Sequence, residues 1–309
     1  MPRQEVSHSH AGPTPMSGLP EGFVDFLDLE GLLSSPVTRI ALEEASSVLD
    51  FHPSLVIDLG SGTGVGTVAL ARKFPNAQIR GIDISSELLE RLTAASSAAG
   101  ISDRVQGHLG NFEDNWHELV PAKASVIWAA LSLHHASDPA KVLRHAFEAL
   151  QPGGILVVTE MTGPPVVETV AFDGLYRPSQ RLSEALAHLQ YRGAGDWVAL
   201  IEAAGFTVMR QRDAVFVAAT DSDEGARYVS AQLSFHRGRH ANTLSSKNGE
   251  DCADAVKAVA EIDAAMKEME AGTSSTRFTS GRSICVAIRP HDAVHDEDGR
   301  APAFVGSGS

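Results

Sequence analysis

The chain has 309 residues, 43% hydrophobic and 21% charged, which suits one large α/β domain with a cap, or two small domains, and argues against disorder over most of its length. Its formal net charge of −14 repels a phosphate backbone and no Lys/Arg stripe offsets it, so nucleic acid is excluded and a small-molecule partner is expected. No apolar run approaches the ~20 residues of a membrane span, no secretory signal opens the chain, and Cys252 and Cys285 are too few for a disulfide framework and fit a reducing cytoplasm.

Residues 1–20, with His8, His10, Pro13, Pro15 and Gly18, read as a flexible arm. The short apolar run 55–59 stops at glycines and reads as a buried strand, followed by helical spacing over 65–74. A second strand is expected over 78–83. Ser86 caps a helix over 86–99, Glu87 complements its positive end and Gly100 stops it. A weaker third strand covers 104–108 and an almost wholly apolar fourth covers 124–131, as a doubly covered strand should be. Asp138-Pro139 opens a helix that runs to Leu150, residues 151–154 turn, and 155–160 form a fifth strand.

Strand and helix alternate five times, the signature of a parallel sheet with helices on both faces. The rhythm changes after Met161. Residues 161–194 hold Pro164-Pro165, Pro178 and a helix near 179–190, and a second helix over 195–204 closes at Gly205. A sixth strand is expected over 206–219 with a break near Asp213, then a helical insertion over 220–282, a seventh strand over 283–290, and a flexible tail over 291–309. An α/β core over 21–219 with cap segments at its N-terminus and at 161–194 is thus completed by the last strand.

The chemistry concentrates at Asp58-Leu59-Gly60-Ser61-Gly62-Thr63-Gly64, between the first strand and first helix. Glycines there permit a sharp turn and close ligand approach, and the helix N-terminus offers free N–H groups to an anion such as an amino-acid carboxylate. The dinucleotide fingerprint G-x-G-x-x-G fails in both registers, because Val65 and Thr67 stand where it needs glycine. Asp83 ends the second strand, where a carboxylate can hold a ribose diol.

These residues resemble the class I S-adenosylmethionine (SAM)-dependent methyltransferases, closely over 55–160 and more loosely to 289. The resemblance implies a Rossmann-like, seven-stranded, mostly parallel sheet whose last strand is antiparallel, with a helical cap. It implies SAM as cofactor, held by Asp58, Gly60, Ser61, Gly62 and Gly64, by Asp83 at the ribose, by Ile84, Asn111 and Phe112 around the adenine, and by Ala129 and Ala130 at the methionine end. Leu150-Gln151-Pro152-Gly153-Gly154 is a further recurrent feature. Ser125 departs from the aspartate that many relatives carry there. The implied reaction is methyl transfer to oxygen, nitrogen or carbon of a small molecule of secondary metabolism. The alternative is a SAM-binding enzyme of this fold doing non-methylating chemistry such as cyclisation. A homodimer is compatible with both.

A base is needed only when the nucleophile must lose a proton. His134 and His135 follow the fourth strand at its carboxyl end and are the candidates, with a purely structural turn as the competing reading. Tyr176, Arg177, Tyr191 and Phe235, with Phe172, are candidates to line the acceptor cavity, or else pack inside the cap. His236 and His240 have helical i, i+4 spacing but lack a completing carboxylate, so they read as a solvated helix end and no metal site is expected.

Overall fold

The computed structural model describes residues 19 and 22–291, apart from 115, 121, 171–174, 188–195 and 247–249. Apart from Leu19 and His291, the expected arm and tail, with Phe172 and Tyr191, lie outside the described residues.

Five parallel strands form the heart of the sheet: β1 (Leu55–Leu59), β2 (Gln78–Asp83), β3 (Val105–Leu109), β4 (Ala124–Ala130) and β5 (Leu150–Met161). Their spatial order is β3-β2-β1-β4-β5. Order therefore reverses between β1 and β4, and their carboxyl ends face a common crevice, the place where open α/β sheets take ligands. Every residue of β1 is buried, which explains its uninterrupted apolar run.

Side chains alternate between two cores. Val56, Val126, Trp128, Val157 and Val286 face α2 (Ser35–Val48), α3 (Val65–Lys73) and α4 (Ser86–Ala98). Ile57, Ile127, Leu156, Val158 and Cys285 face α5 (Pro139–Ala149) and α7 (Trp197–Ala203). Ile127 has no exposed surface. Ile127→Ala should destabilise the protein by about 2–5 kcal/mol, lost transfer energy plus an unfilled cavity. A lower urea midpoint at unchanged slope would register it.

Helix ends follow local chemistry. Asp138 Oδ1 accepts from Lys141 N at 3.0 Å and Pro139 occupies the first turn of α5. The cap of α4 is Ser85, whose Oγ accepts from Leu88 N, one residue before the expected Ser86. Asp196 caps α7 through Ala199 N at 3.0 Å. Ser125, the departure noted above, accepts from Ser54 N at 3.1 Å and so ties the start of β4 to the chain entering β1.

Among the described residues the sheet has nine strands rather than seven. β9 (Thr276–Ile288) runs antiparallel to β5, and β8 (Thr207–Ala219) pairs with its other edge. The first half of β9 also pairs with β6 (Val166–Val170), which forms a hairpin with β7 (Tyr176–Pro178). β9 starts seven residues before the expected Ser283. Apart from Phe278 and Gly281 its extra residues are polar, yet Thr276, Ser280 and Arg282 are buried, so hydrophobic patterning could not reveal them. β8 continues through Asp213, which pairs with Ser283; its irregularity lies at Val208/Arg210. Residues 151–154 belong to β5, with Gly153 at φ +79° supplying the bend.

Beyond the sheet, α1 (Phe23–Leu33), α6 (Gln180–Ala187), α8 (Asp223–Ser246) and α9 (Glu250–Glu270) form a helical cap with its own core. Phe26 stacks on Tyr228 at 5.3 Å, and Tyr228 meets Phe216 edge-on at 5.2 Å. His236 and His240 are buried in this cap, not solvated, and His240 Nε2 lies 2.7 Å from the carbonyl of Ala185.

Candidate active site

The turn after β1 is held from beneath. Gly60 N and Ser61 N both donate to the carbonyl of Ile82, at 2.8 and 3.1 Å. Gly60 and Gly62 adopt φ of +75° and +54°, which favour glycine. A Cβ on Gly60 would lie 2.5 Å from Ser132 Cβ, so the turn packs directly against the chain leaving β4. A Cβ on Gly62 would meet nothing within 4 Å: its side of the turn is the open one.

Two carboxylates flank the turn. Asp83 Oδ2 accepts from Gly62 N at 2.8 Å and Oδ1 from Ser85 N at 3.0 Å. These bonds orient the carboxylate and leave lone pairs on both oxygens. Burial raises the Asp83 pKa, opposed by its backbone hydrogen bonds. Asp58 is buried below the turn and accepts from Thr67 Oγ1 at 2.6 Å. Burial first, with a smaller contribution from the charge of Asp83, pushes the Asp58 carboxyl up to about 7, against the opposing Thr67 hydrogen bond.

That shift has a consequence for stability. The folded value lies above the unfolded value of about 4, so the unfolded state binds fewer protons between pH ~4 and ~7 and stability falls as pH rises through that window. Asp58→Asn in the ligand-free protein should therefore melt like wild type at pH 4. At pH 8 it should melt higher, by up to about 4 kcal/mol of stability. Scanning calorimetry at the two pH values checks this.

At the carboxyl end of β4 the backbone is strained. Leu131 adopts φ +54°, rare for a residue with a side chain, and its N–H donates to the carbonyl of Thr159 at 2.8 Å. A short 3-10 turn, Leu133–His135, follows. Glu160, at the end of β5 and fully buried, holds this turn. Its Oε1 accepts from Leu133 N at 2.8 Å and His134 N at 3.4 Å, and its Oε2 lies 2.8 Å from His134 Nδ1.

The His135 ring lies 4.0 Å from that of His134. Desolvation first, then the charge of His134, lowers the His135 pKa to about 4; much of the residue stays open to solvent, which tempers the shift. From α1, Glu30 approaches His134 electrostatically and pairs with the buried Arg282 of β9 at 3.3 Å. Burial raises the Glu30 pKa more than Arg282 and His134 lower it. The Oγ atoms of Ser61 and Ser132 and Oγ1 of Thr159 are buried without hydrogen-bond partners among the described residues.

The other expected site residues fall unevenly. Ile84 is half-buried just after β2, beside Asp83. Phe112 is half-buried, with Cε1 3.8 Å from the Cβ position of Gly60. Asn111 Oδ1 accepts from Glu113 N at 2.9 Å, which fixes the side chain and leaves a lone pair. Ala129 is buried and Ala130 half-buried at the tip of β4. Phe235, on α8, lies 6.3 Å from Phe23 of α1.

Tyr176 and Arg177 do not converge with these residues. Tyr176 sits on the outer hairpin under the Arg277 guanidinium, 4.4 Å away, and Arg177 is exposed next to it. Arg277 is six residues along β9 from Ser283, the partner of Glu160, which places this hairpin about 20 Å from the Glu160 end. Glu160, Glu30 and Arg282 were not singled out from the sequence. The signal for Glu160 was an acid ending a strand that is apolar over 155–158; the other two carried none.

Residues 54–204 match a family model described as a methyltransferase domain. Trans-aconitate 2-methyltransferase of Methylobacterium radiotolerans is 33% identical over 164 residues, 53% of this chain and 54% of that protein. Dimethylglycine N-methyltransferase of Parasynechococcus marenigrum is 29% identical over 181 residues, 55% of this chain and 62% of that protein. The chain spans from about a third to just over half of the length of the trans-aconitate methyltransferases it matches. Among solved structures, the YcgJ protein of Bacillus subtilis superposes with a TM-score of 0.51 at 14% identity, covering 82% of this chain and 100% of that one, a likeness of fold alone.

Proposed function

The chain carries a class I SAM-dependent methyltransferase domain, and from that premise we propose that the protein binds SAM at the glycine turn and passes its methyl group to a small molecule of secondary metabolism in the cytoplasm. The observation that carries the reading is the Asp83 carboxylate, held by Gly62 N and Ser85 N at the tip of β2 beside the open side of the turn.

The residues present fit the compound. The lone pairs left on Asp83 suit a ribose diol, and the open face at Gly62 admits a ligand against the backbone. Two buried acids, Asp58 and Asp83, border the turn, and no cation is among the causes of either shift. The ammonium and sulfonium of SAM would complement them, whereas a pyrophosphate would meet their repulsion. The unpartnered hydroxyls of Ser61, Ser132 and Thr159 offer further polar contacts. Phe112 beside Gly60 supplies an apolar surface for the adenine.

When bound, SAM supplies an electrophilic methyl group on sulfur. The chain's own work is then to orient the acceptor, exclude water and, where the acceptor is protic, take a proton. Positioning of this kind can contribute ~7–11 kcal/mol. The cap helices α1 and α8 approach the His134 turn, through Glu30 and Arg239 respectively, and are the elements available to enclose an acceptor.

Incubation with methyl-labelled SAM and a panel of small-molecule acceptors tests the proposal. Label in a low-molecular-weight product with equimolar S-adenosylhomocysteine supports it. Turnover of an acceptor without S-adenosylhomocysteine would contradict methyl transfer and favour a rearrangement such as cyclisation.

A further inference from the structure

Glu160 is a carboxylate without solvent contact, and its three donors all come from the Leu133–His135 turn: two backbone N–H groups and the His134 ring. Glu160 acts as the acceptor of two backbone N–H groups from this turn, and with the carboxylate in that role the ring nitrogen 2.8 Å away, Nδ1, is assigned the hydrogen. In the neutral imidazole the lone pair then resides on Nε2. That nitrogen has no hydrogen-bond partner among the described residues, and the side chain keeps 15% of its surface open at the carboxyl end of β4. His240 is the contrast: its Nε2 is committed to the carbonyl of Ala185 inside the cap.

We infer that Glu160 is the positioning residue that fixes the His134 proton on Nδ1, so that Nε2 is the proton acceptor of the reaction and the methyl acceptor belongs to the protic class, a hydroxyl or a protonated amine. The inference rests on the SAM reading above. In the step it implies, the acceptor oxygen or nitrogen forms a bond to the methyl carbon. The S–CH₃ bond breaks with its electron pair left on sulfur, and the acceptor's proton passes to His134 Nε2 and then to water. A tertiary amine, a thioether or an ionised carboxylate needs no such base.

His135 does not share the role, because it receives nothing comparable to the Glu160 hydrogen bond and its pKa, lowered to about 4 chiefly by desolvation, makes it a weak proton acceptor. The charged and titratable groups facing His134 are Glu160 from β5, His135 on its own turn, and Glu30 from α1 with Arg282 of β9 behind it; Arg239 of α8 acts on His135. Of these, Glu160 is the one in hydrogen-bond contact with the ring.

The test is nitrogen-15 NMR of the full chain labelled at histidine, saturated with S-adenosylhomocysteine, with His134→Gln used for assignment. Wild type should show His134 as the Nδ1–H tautomer. Glu160→Gln, whose amide can donate to Nδ1, should move hydrogen to Nε2, and Glu160→Asp should recover the wild-type signature in part. Hydrogen on Nε2 in the wild type, or a tautomer indifferent to Glu160→Gln, overturns the inference; the wild-type spectrum decides it even if a variant does not fold. For the acceptor class, labelled product should be stable to mild alkali. Label found only in base-labile methyl esters, quaternary ammonium or sulfonium products overturns that part. Calorimetry with SAM on the same samples separates the outcomes: absent SAM binding sinks the cofactor reading while the tautomer remains readable.

Discussion

His134→Ala is expected to lower kcat by about 10²–10⁴-fold with the acceptor found by the labelled-methyl screen, the usual contribution of a positioned general base. That corresponds to about 2.7–5.5 kcal/mol of transition-state stabilisation. The affinity for SAM should change by less than about threefold, because the imidazole projects from the turn after β4 and not from the glycine turn. An effect on kcat without one on KM is the mark of an interaction made only in the transition state. His135→Ala is the control. Its pKa, lowered to about 4, makes it a weak proton acceptor, and it lacks the Glu160 contact, so the rate should stay within a few-fold of wild type. Equal losses in both variants, or full activity in His134→Ala, would place proton removal elsewhere.

Asp83→Ala is expected to weaken SAM binding by about 2–4 kcal/mol, roughly 30–1000-fold, from loss of two hydrogen bonds between the ribose and a charged acceptor. The variant also strips Gly62 N and Ser85 N of their acceptor, so part of the loss comes from a less ordered turn. Asp83→Asn separates the two contributions. The amide keeps one acceptor oxygen and much of the shape, so it should retain more affinity than alanine. Isothermal calorimetry on the three proteins reads the difference. An alanine variant that binds SAM as wild type does would remove Asp83 from the ribose site.

Much of this arrangement was legible in the sequence because it depends on local chemistry. The β1 run, the glycine turn and Asp83 lie within 29 residues of one another, 55–83, and each is dictated by burial, backbone conformation or strand position. The parallel core and the capping of α5 by Asp138-Pro139 follow from period and punctuation in the same way. What escaped depends on long-range contact. The mostly polar first half of β9 becomes a strand only because β6 and β8 flank it, with partners 58 to 113 residues earlier in the chain. His240 looks like a surface residue until α6 covers it, and His236 is likewise buried in the cap. Tyr176 and Arg177 drew interest as large side chains in a cap segment, and hairpin pairing carries them away from the crevice. Glu160 ended a correctly read strand, but its role emerges only when the turn 26 and 27 residues earlier folds onto it.

The account stands or falls on which compound the glycine turn accepts, and a calorimetric titration of the full chain answers that most directly. Saturable one-site binding of SAM and of S-adenosylhomocysteine, with no heat from NAD, is the expected result. Silence with both adenosyl compounds alongside saturable binding of NAD would contradict it.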